Sequence, residues 1–245
     1  MARTRNIFDP KSTEPYRLSR SKIEMFLRCP RCFVLDRRHG IDEPSGPPFT
    51  LNIAVDGLMK REFDLYRAQG KPHPLMLRES VHAVPYKHPD LETWRSNFKG
   101  VEYLHPQTNL VITGALDDVW IDPEGTLIVV DYKATSTDRE ITLDDEWKQS
   151  YKRQMEIYQW LLRRNSFAVS DTGYFVFVNA LKSLESFDGK LEFDMHLLPY
   201  TGSDDWVEEA IVEAHRCLMS DTLPPSTATC GLCGYRRMAR GVEKV

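Results

Sequence analysis

The 245-residue chain has no run of 18 apolar residues, so no membrane-spanning helix is expected. Its opening, MARTRNIFDPKSTEPYR, carries charges but no apolar stretch of the kind a secretory signal needs, and the cytoplasm is the expected location. It contains neither an internal repeat nor a low-complexity segment, which argues against solenoids and biased linkers. An overall excess of positive charge is also missing. Lys and Arg number 32 against 36 Asp and Glu, a formal net charge of −4, which argues against a generic nucleic-acid binder. Cysteine is scarce, with five in all, and a cytoplasmic chain does not use these as a disulfide framework.

What is present is a globular composition, 41% hydrophobic and 28% charged, in a chain long enough for one domain with a full core. The charge is unevenly placed. Residues 1–40 hold ten Lys/Arg and four Asp/Glu, and residues 231–245 hold four and one, so both ends are basic and the middle is acidic. Basic ends attract polyanions and clustered acids hold divalent cations, although solvated surfaces have the same composition. Four of the cysteines form two Cys-x-x-Cys pairs, Cys29 with Cys32 in RCPRCF and Cys230 with Cys233 in TCGLCGY. That spacing lets two thiolates bind one metal centre. A thioredoxin-like reading of CPRC needs a βαβ context that is absent here. Cys217 is in step with Trp206, Ala210 and Ala214 on an apolar helical face, the pattern of a buried core thiol.

Residues 1–16 read as an irregular arm. LSRSKIEMFLRC reads as a short helix that Ser19 or Ser21 can cap. TLNIAVDGLMKREFDLYRAQG reads as a longer helix stopped by Gly70. Residues 71–108 are broken by prolines and histidines and give no assignment. LVITGALDDVWI (110–121) and TLIVVDYKA (126–134) flank DPEG and read as a hairpin. Residues 144–164 read as a helix, 172–181 and 190–198 as strands, and SDDWVEEAIVEAHRCLM as a helix with an acidic first turn. The tail PPSTATCGLCGYRRMAR is too short for a core of its own without a metal. The order predicts an α/β or α+β domain, residues 1–245 together, on a central mixed sheet flanked by helices.

The stretch LIVVDYKATS (127–136) ends an apolar run in an acid and a base. Strand side chains alternate, so Val129, Asp131 and Lys133 share a face and Tyr132 lies on the other. A carboxylate among apolar residues is costly, and a divalent cation would relieve it. Asp117 and Asp118, being adjacent, face opposite sides of the preceding strand, so one of them can join Asp131. Two carboxylates and a lysine make a hard-cation site suited to phosphodiester hydrolysis. The plainer alternative is a strand ending at the surface with both charges solvated.

Four pieces in order resemble the PD-(D/E)XK nuclease superfamily, in particular its RecB-like and Cas4-like branch. LSRSKIEMFLRCPRCF is similar to the branch's opening helix with its Cys-Pro, GALDDVW to its Gly-x-x-Asp strand, VVDYKAT to its Asp-x-Lys strand, and QMEIY to its Gln-x-x-x-Tyr helix. The resemblance implies a restriction-endonuclease-like core and a metal-dependent DNA nuclease, an exonuclease or one directed to single strands, in a DNA repair setting with a possible helicase or recombination partner. It implies Asp117 and Asp131 as ligands of Mg²⁺ or Mn²⁺ with the Tyr132 carbonyl as a third, Lys133 beside the attacking water, and Gln154 and Tyr158 bordering the site and the DNA backbone. A core aromatic is the other reading of Tyr158. Where the branch has a Gly-x-x-His pattern, this chain has Asn52 and Asp56, so Asp56 is a candidate extra ligand or a solvated helix acid.

The resemblance also implies that the four cysteines join the chain ends into one module, formed by 17–40 and 224–240. Four thiolates hold either a [4Fe–4S] cluster or a tetrahedral Zn²⁺. The family context favours the cluster and the symmetric spacing favours zinc; the [4Fe–4S] cluster is the expectation and Zn²⁺ its alternative. Arg28, Arg31, Arg37, Arg38, Arg236 and Arg237 would make the module positive and able to grip a nucleic-acid strand. The competing functions are a non-catalytic nucleic-acid-binding module with a structural metal–thiolate site, and a redox or metal sensor.

Overall fold

The structure, a computed structural model, describes residues 3–44 and 46–243. In chain order the elements are β1 (Tyr16–Ser19), α1 (Arg20–Arg28), α2 (Pro30–His39), α3 (Thr50–Gln69), α4 (Pro74–Arg78), β2 (Val84–Pro85), α5 (Leu91–Arg95) and β3 (Val101–His105). Then follow β4 (Leu110–Gly114), β5 (Asp118–Ile121), β6 (Leu127–Thr135), α6 (Gln149–Arg164), β7 (Thr172–Ala180), β8 (Phe193–Thr201), α7 (Asp205–Met219) and α8 (Gly231–Glu243). The fold is α/β, with two mixed sheets flanked by helices, as in a restriction-endonuclease-like fold.

These elements fall into two compact units. The first comprises the described residues of Met1–Pro47, Glu102–Thr113 and Asp205–Val245. It carries the three-stranded sheet β1-β4-β3, in which β1 runs parallel to β4 with Leu18 opposite Ile112. Helices α1 and α2 pack against α7. Pro30 at the first position of α2 separates it from α1, because proline has no N–H to continue the preceding helix and suits a helix start. On α7 the buried stripe is Val207, Ala210, Ile211, Ala214 and Leu218.

The second unit, Pro48–Val101 and Gly114–Asp204, is built on the five-stranded sheet β2-β5-β6-β7-β8. β6 and β7 are parallel and the other pairings are antiparallel. One face buries Ile128, Val130, Tyr132, Val176 and Val178 against Val55, Met59 and Phe63 of α3. Gly70 ends α3 in the left-handed region, φ 63°, as its place in the sequence predicts. α6 packs against β6, and it enters from a 3-10 turn at Glu146–Lys148.

Several expectations change. The stretch 110–121 is not one strand: β4 and β5 belong to different sheets, and only β5 forms the hairpin with β6. Residues 30–39, unassigned from sequence, form α2, whose buried face includes Asp36 and Arg37 and so hides the apolar period. Residues 71–108 resolve into the short elements α4, β2, α5 and β3, too brief for periodicity to register. Cys217 lies at the edge of the α7 stripe and is half-buried rather than buried.

Candidate active site and cysteine centre

β6 places the first group of charges. Leu127 to Tyr132 are buried, which holds the strand rigidly up to the half-buried Lys133. Asp131 lies opposite Phe175 and Lys133 opposite Phe177 on β7, so both charges stand among aromatic neighbours. Asp131 is fully buried. Its Oδ1 accepts a hydrogen bond of 2.7 Å from Gln154 Nε2, and its Oδ2 pairs with the Lys133 ammonium. Lys133 Nζ also donates to Gln154 Oε1 at 3.3 Å and stands 4.5 Å from the Tyr151 ring centre. Tyr158, one helical turn after Gln154, lies 3.0 Å from its Nε2. Burial alone would lower the Lys133 pKa, but the carboxylates of Asp131 and Asp117 outweigh it and raise it. Paired in this way, Lys133 is held in its ammonium form.

Asp117 sits just before β5. Pairing of β5 with β6 begins at Asp118 opposite Val130, so the Tyr132 amide lies beyond the ladder. The Asp117 carboxylate takes it instead, accepting from Tyr132 N–H at 3.0 Å. In an extended strand a residue's N–H and C=O face the same side, so the Tyr132 carbonyl also faces Asp117. The other Asp117 oxygen accepts from Lys60 Nζ at 3.0 Å.

Asp118 has a different role. It is fully buried and accepts from Arg67, from Arg95 at 3.1 Å and from the Tyr132 hydroxyl at 2.7 Å. Burial, with Asp118 adding to it, pushes the Tyr132 phenol well above its ordinary pKa. Asp118 is thus a core ion pair, and the two adjacent aspartates part as strand alternation predicts.

Asp56 comes to the same place from α3. Lys60, one turn on, bridges it to Asp117, at 2.8 Å from Asp56 Oδ2. Burial and the nearby Asp117 raise the Asp56 pKa against the pull of Lys60. Asn52 lies 3.5 Å from the Ala134 carbonyl. Asn52, Asp56, Asp117, Lys133 and Tyr151 line one cleft of about 290 Å³, with Phe49 and Ile53 at its margin.

The structure therefore brings together Asp117, Asp131, Lys133, Gln154, Tyr158 and the Tyr132 backbone, with Asp56 joined through Lys60. Sequence reasoning missed Lys60, Tyr151, Arg67 and Arg95. The Asp56-to-Lys60 spacing of one turn was a usable signal for the first. Arg95 lies in the segment that gave no assignment. As donors, the two carboxylates and the carbonyl are hard oxygens suited to Mg²⁺ or Mn²⁺, and the Lys60 ammonium between Asp56 and Asp117 marks a place that attracts positive charge.

In the first unit Cys29, Cys32, Cys230 and Cys233 are buried together, with all four sulfurs within 4.8 Å of one another. Cys32 Sγ lies 3.5 Å from Cys233 Sγ and 3.7 Å from Cys230 Sγ, and Cys29 Sγ lies 3.9 Å from Cys233 Sγ. Burial works against ionising Cys29, but backbone contacts from Cys32 and Thr227 overcome it and lower its pKa to about 7. The four thiols can hold a metal, as the two pairs suggest.

Residues 17–238 match the family model of the PD-(D/E)XK nuclease superfamily. The chain belongs to that superfamily. Membership of that superfamily implies a metal-dependent nuclease, a hydrolase whose substrate is nucleic acid. No curated protein matches the chain. Among solved structures, the crystal structure of SSO0001 is 16% identical, covers 87% of this chain and 81% of that chain, and has a TM-score of 0.35. Among the described residues no helix is long and apolar enough to cross a membrane.

Proposed function

We propose that this PD-(D/E)XK protein is a deoxyribonuclease of the RecB-like/Cas4-like branch, one nuclease domain that acts on DNA ends or single strands. The observation that carries the reading is the convergence of Asp117, Asp131 and the Asp131-paired ammonium of Lys133 where β6 runs beyond β5 beside an open cleft. Asp117, Asp131 and the Tyr132 carbonyl would hold Mg²⁺ or Mn²⁺, which supplies a polarised phosphoryl oxygen and an acidified water. Lys133 orients the attacking water and stabilises charge developing on the phosphoryl group. Gln154 is a positioning residue: its amide grips Asp131 and Lys133 at once, and Tyr158 holds the amide in place. Lys60 holds both Asp56 and Asp117, so its ammonium gives way when a cation takes the Asp117 oxygen it occupies, and only then can Asp56 serve as a further ligand.

A non-catalytic binding module is the second reading. It would have no use for a buried Asp131 and a Lys133 pair, and the intact set speaks against it. The test is cleavage of linear single- and double-stranded DNA with Mg²⁺ or Mn²⁺ by the wild type beside Lys133→Ala and Asp131→Ala. Wild type cuts and both variants do not. If all three are equally active or equally inert, the catalytic reading fails.

For the cysteine centre the sulfur spacing favours a single tetrahedral ion over a [4Fe–4S] cluster. Four sulfurs each about 2.3 Å from one zinc stand about 3.8 Å apart; three of the six separations here are 3.5, 3.7 and 3.9 Å, and all lie within 4.8 Å. In a [4Fe–4S] cluster each thiolate binds its own iron at a separate corner, which spreads the sulfurs farther. Elemental analysis of anaerobically purified protein separates the two: one zinc per chain in a colourless preparation, against a brown, iron-rich one.

A further inference from the structure

The arginines at the two chain ends divide into two groups. Arg28 is paired with Glu43 at 2.5 Å, Arg37 with Asp36, and Arg38 with the Ser220 carbonyl and Asp221. These three are spent inside the first unit. Arg31, Arg236, Arg237 and Arg240 have no hydrogen bond or ion pair among the described residues. Those four line one cavity of about 420 Å³, together with Ser226 and Cys233, and no carboxylate is among its lining residues.

The placement follows from the cysteines. Arg31 lies between Cys29 and Cys32, at the start of α2. On α8, Arg236, Arg237 and Arg240 follow Cys233 by three, four and seven residues, so they share its helical face. Cys233 is buried against Cys29 and Cys32, which brings that face to Arg31. Four guanidiniums around one hollow repel each other unless an anion enters, and a guanidinium fork fits phosphate oxygens.

We propose that this cavity is a phosphate-binding site for the backbone of a nucleic-acid strand, assembled by the metal–thiolate centre. It rests on the nuclease reading only for the choice of nucleic acid as the anion. The site takes backbone phosphates and reads no base, so it grips strands of any sequence. It also makes loss of the cysteine metal a loss of nucleic-acid affinity, because Arg31 and the α8 arginines come from opposite ends of the chain.

The experiment measures binding of a short fluorescein-labelled oligothymidylate to the full chain by fluorescence anisotropy, in a Lys133→Ala background that leaves the DNA uncut. Arg236→Ala with Arg240→Ala is expected to weaken binding on the order of tenfold at about 0.1 M salt. The slope of log K against log salt should fall by about 0.7 for each phosphate that goes unneutralised, about 1.4 for the two arginines together. Arg236→Lys with Arg240→Lys should recover most of that slope, which separates charge from helix packing, and metal content should match the parent in both. Affinity within twofold of the parent with an unchanged slope overturns the proposal. So does full displacement of the oligonucleotide by millimolar inorganic phosphate at constant ionic strength, which would make this a free-phosphate site. The outcomes separate from those of the nuclease reading: arginine-dependent binding by the Lys133→Ala chain, with a wild type that does not cut, sinks that reading alone, and cleavage by the wild type with arginine-independent binding sinks this one alone.

Discussion

Asp117 and Asp118 are adjacent, chemically identical and separated in role by the alternation of one strand. Replacing each with asparagine should therefore give opposite phenotypes. Asp118 is fully buried, and its carboxylate faces the guanidiniums of Arg67 and Arg95 and the Tyr132 hydroxyl. Removing one partner of a buried ion pair typically costs about 3–5 kcal/mol, because the remaining charge is left uncompensated. Here the guanidiniums keep one carboxylate: Asp64 lies 2.9 Å from both Arg67 and Arg95. The loss for Asp118→Asn should thus fall at the lower end, about 3 kcal/mol. Asp117 is about a fifth exposed, its amide replacement still accepts from Tyr132 N–H, and Lys60 keeps Asp56. Asp117→Asn should therefore cost no more than about 1 kcal/mol of stability while abolishing cleavage. Urea unfolding followed by tryptophan fluorescence reports the first quantity, since Trp94 and Trp120 are buried in this unit. A nuclease assay on the folded protein, well below the transition, reports the second. The reasoning is refuted if Asp118→Asn keeps the parental midpoint, or if Asp117→Asn retains parental cleavage.

Other outcomes follow from the same geometry. A Cβ at Gly114 would lie 2.8 Å from both the Tyr158 ring and Leu161 Cδ1, so Gly114→Ala should cost about 1–3 kcal/mol and lower cleavage by shifting Tyr158 and Gln154; a parental Tm and rate would contradict this. Cys32→Ser should lose the bound metal and lower the Tm of the protein, and retention of full metal stoichiometry would rule out this centre as the metal site. Asp36 is fully buried; burial works to raise its pKa, but Lys22 and Arg37 overcome that and hold it below the ordinary aspartate value. Its stabilisation is therefore present above the unfolded aspartate pKa of about 3.9 and is lost as pH falls through the lower folded value. The Tm gap between wild type and Asp36→Asn should be full at neutral pH and close below about pH 4; a gap unchanged down to about pH 2 would count against the ion pair.

The site was legible where chemistry depends on short spacing. Asp131 and Lys133 share a face because strands alternate, Gln154 and Tyr158 share one because helices repeat, and the cysteine pairs declare themselves by Cys-x-x-Cys. What was hidden depends on partners distant in the chain. Nothing local distinguishes Arg38, paired to Asp221, from Arg237, which is free among the described residues. The side chains of Arg67 and Arg95 are buried because Asp64 and Asp118 neutralise them, and a hydropathy pattern reads such residues as surface. The helix α2 was obscured in the same way, since Asp36 and Arg37 stand where apolar residues would mark its buried face.

The least legible feature, the division of LVITGALDDVWI into two strands, is also what creates the site. Had 110–121 been one continuous strand, it would have extended the antiparallel ladder past Asp118, and the Tyr132 amide and carbonyl would have been consumed by a backbone partner. Instead β4 ends at Gly114 and β5 begins at Asp118, so pairing with β6 stops at Val130. β6 continues alone on that side for Asp131, Tyr132 and Lys133, while β7 supports it on the other. The exposed edge carries one amide that the Asp117 side chain satisfies and one carbonyl that points the same way. Gly114 allows the break by letting Tyr158 and Leu161 of α6 approach within the space a side chain would take. The Gly-x-x-Asp spacing is thus a mechanical statement: the glycine admits α6 against the strand end, and three residues later the aspartate caps the edge of β6.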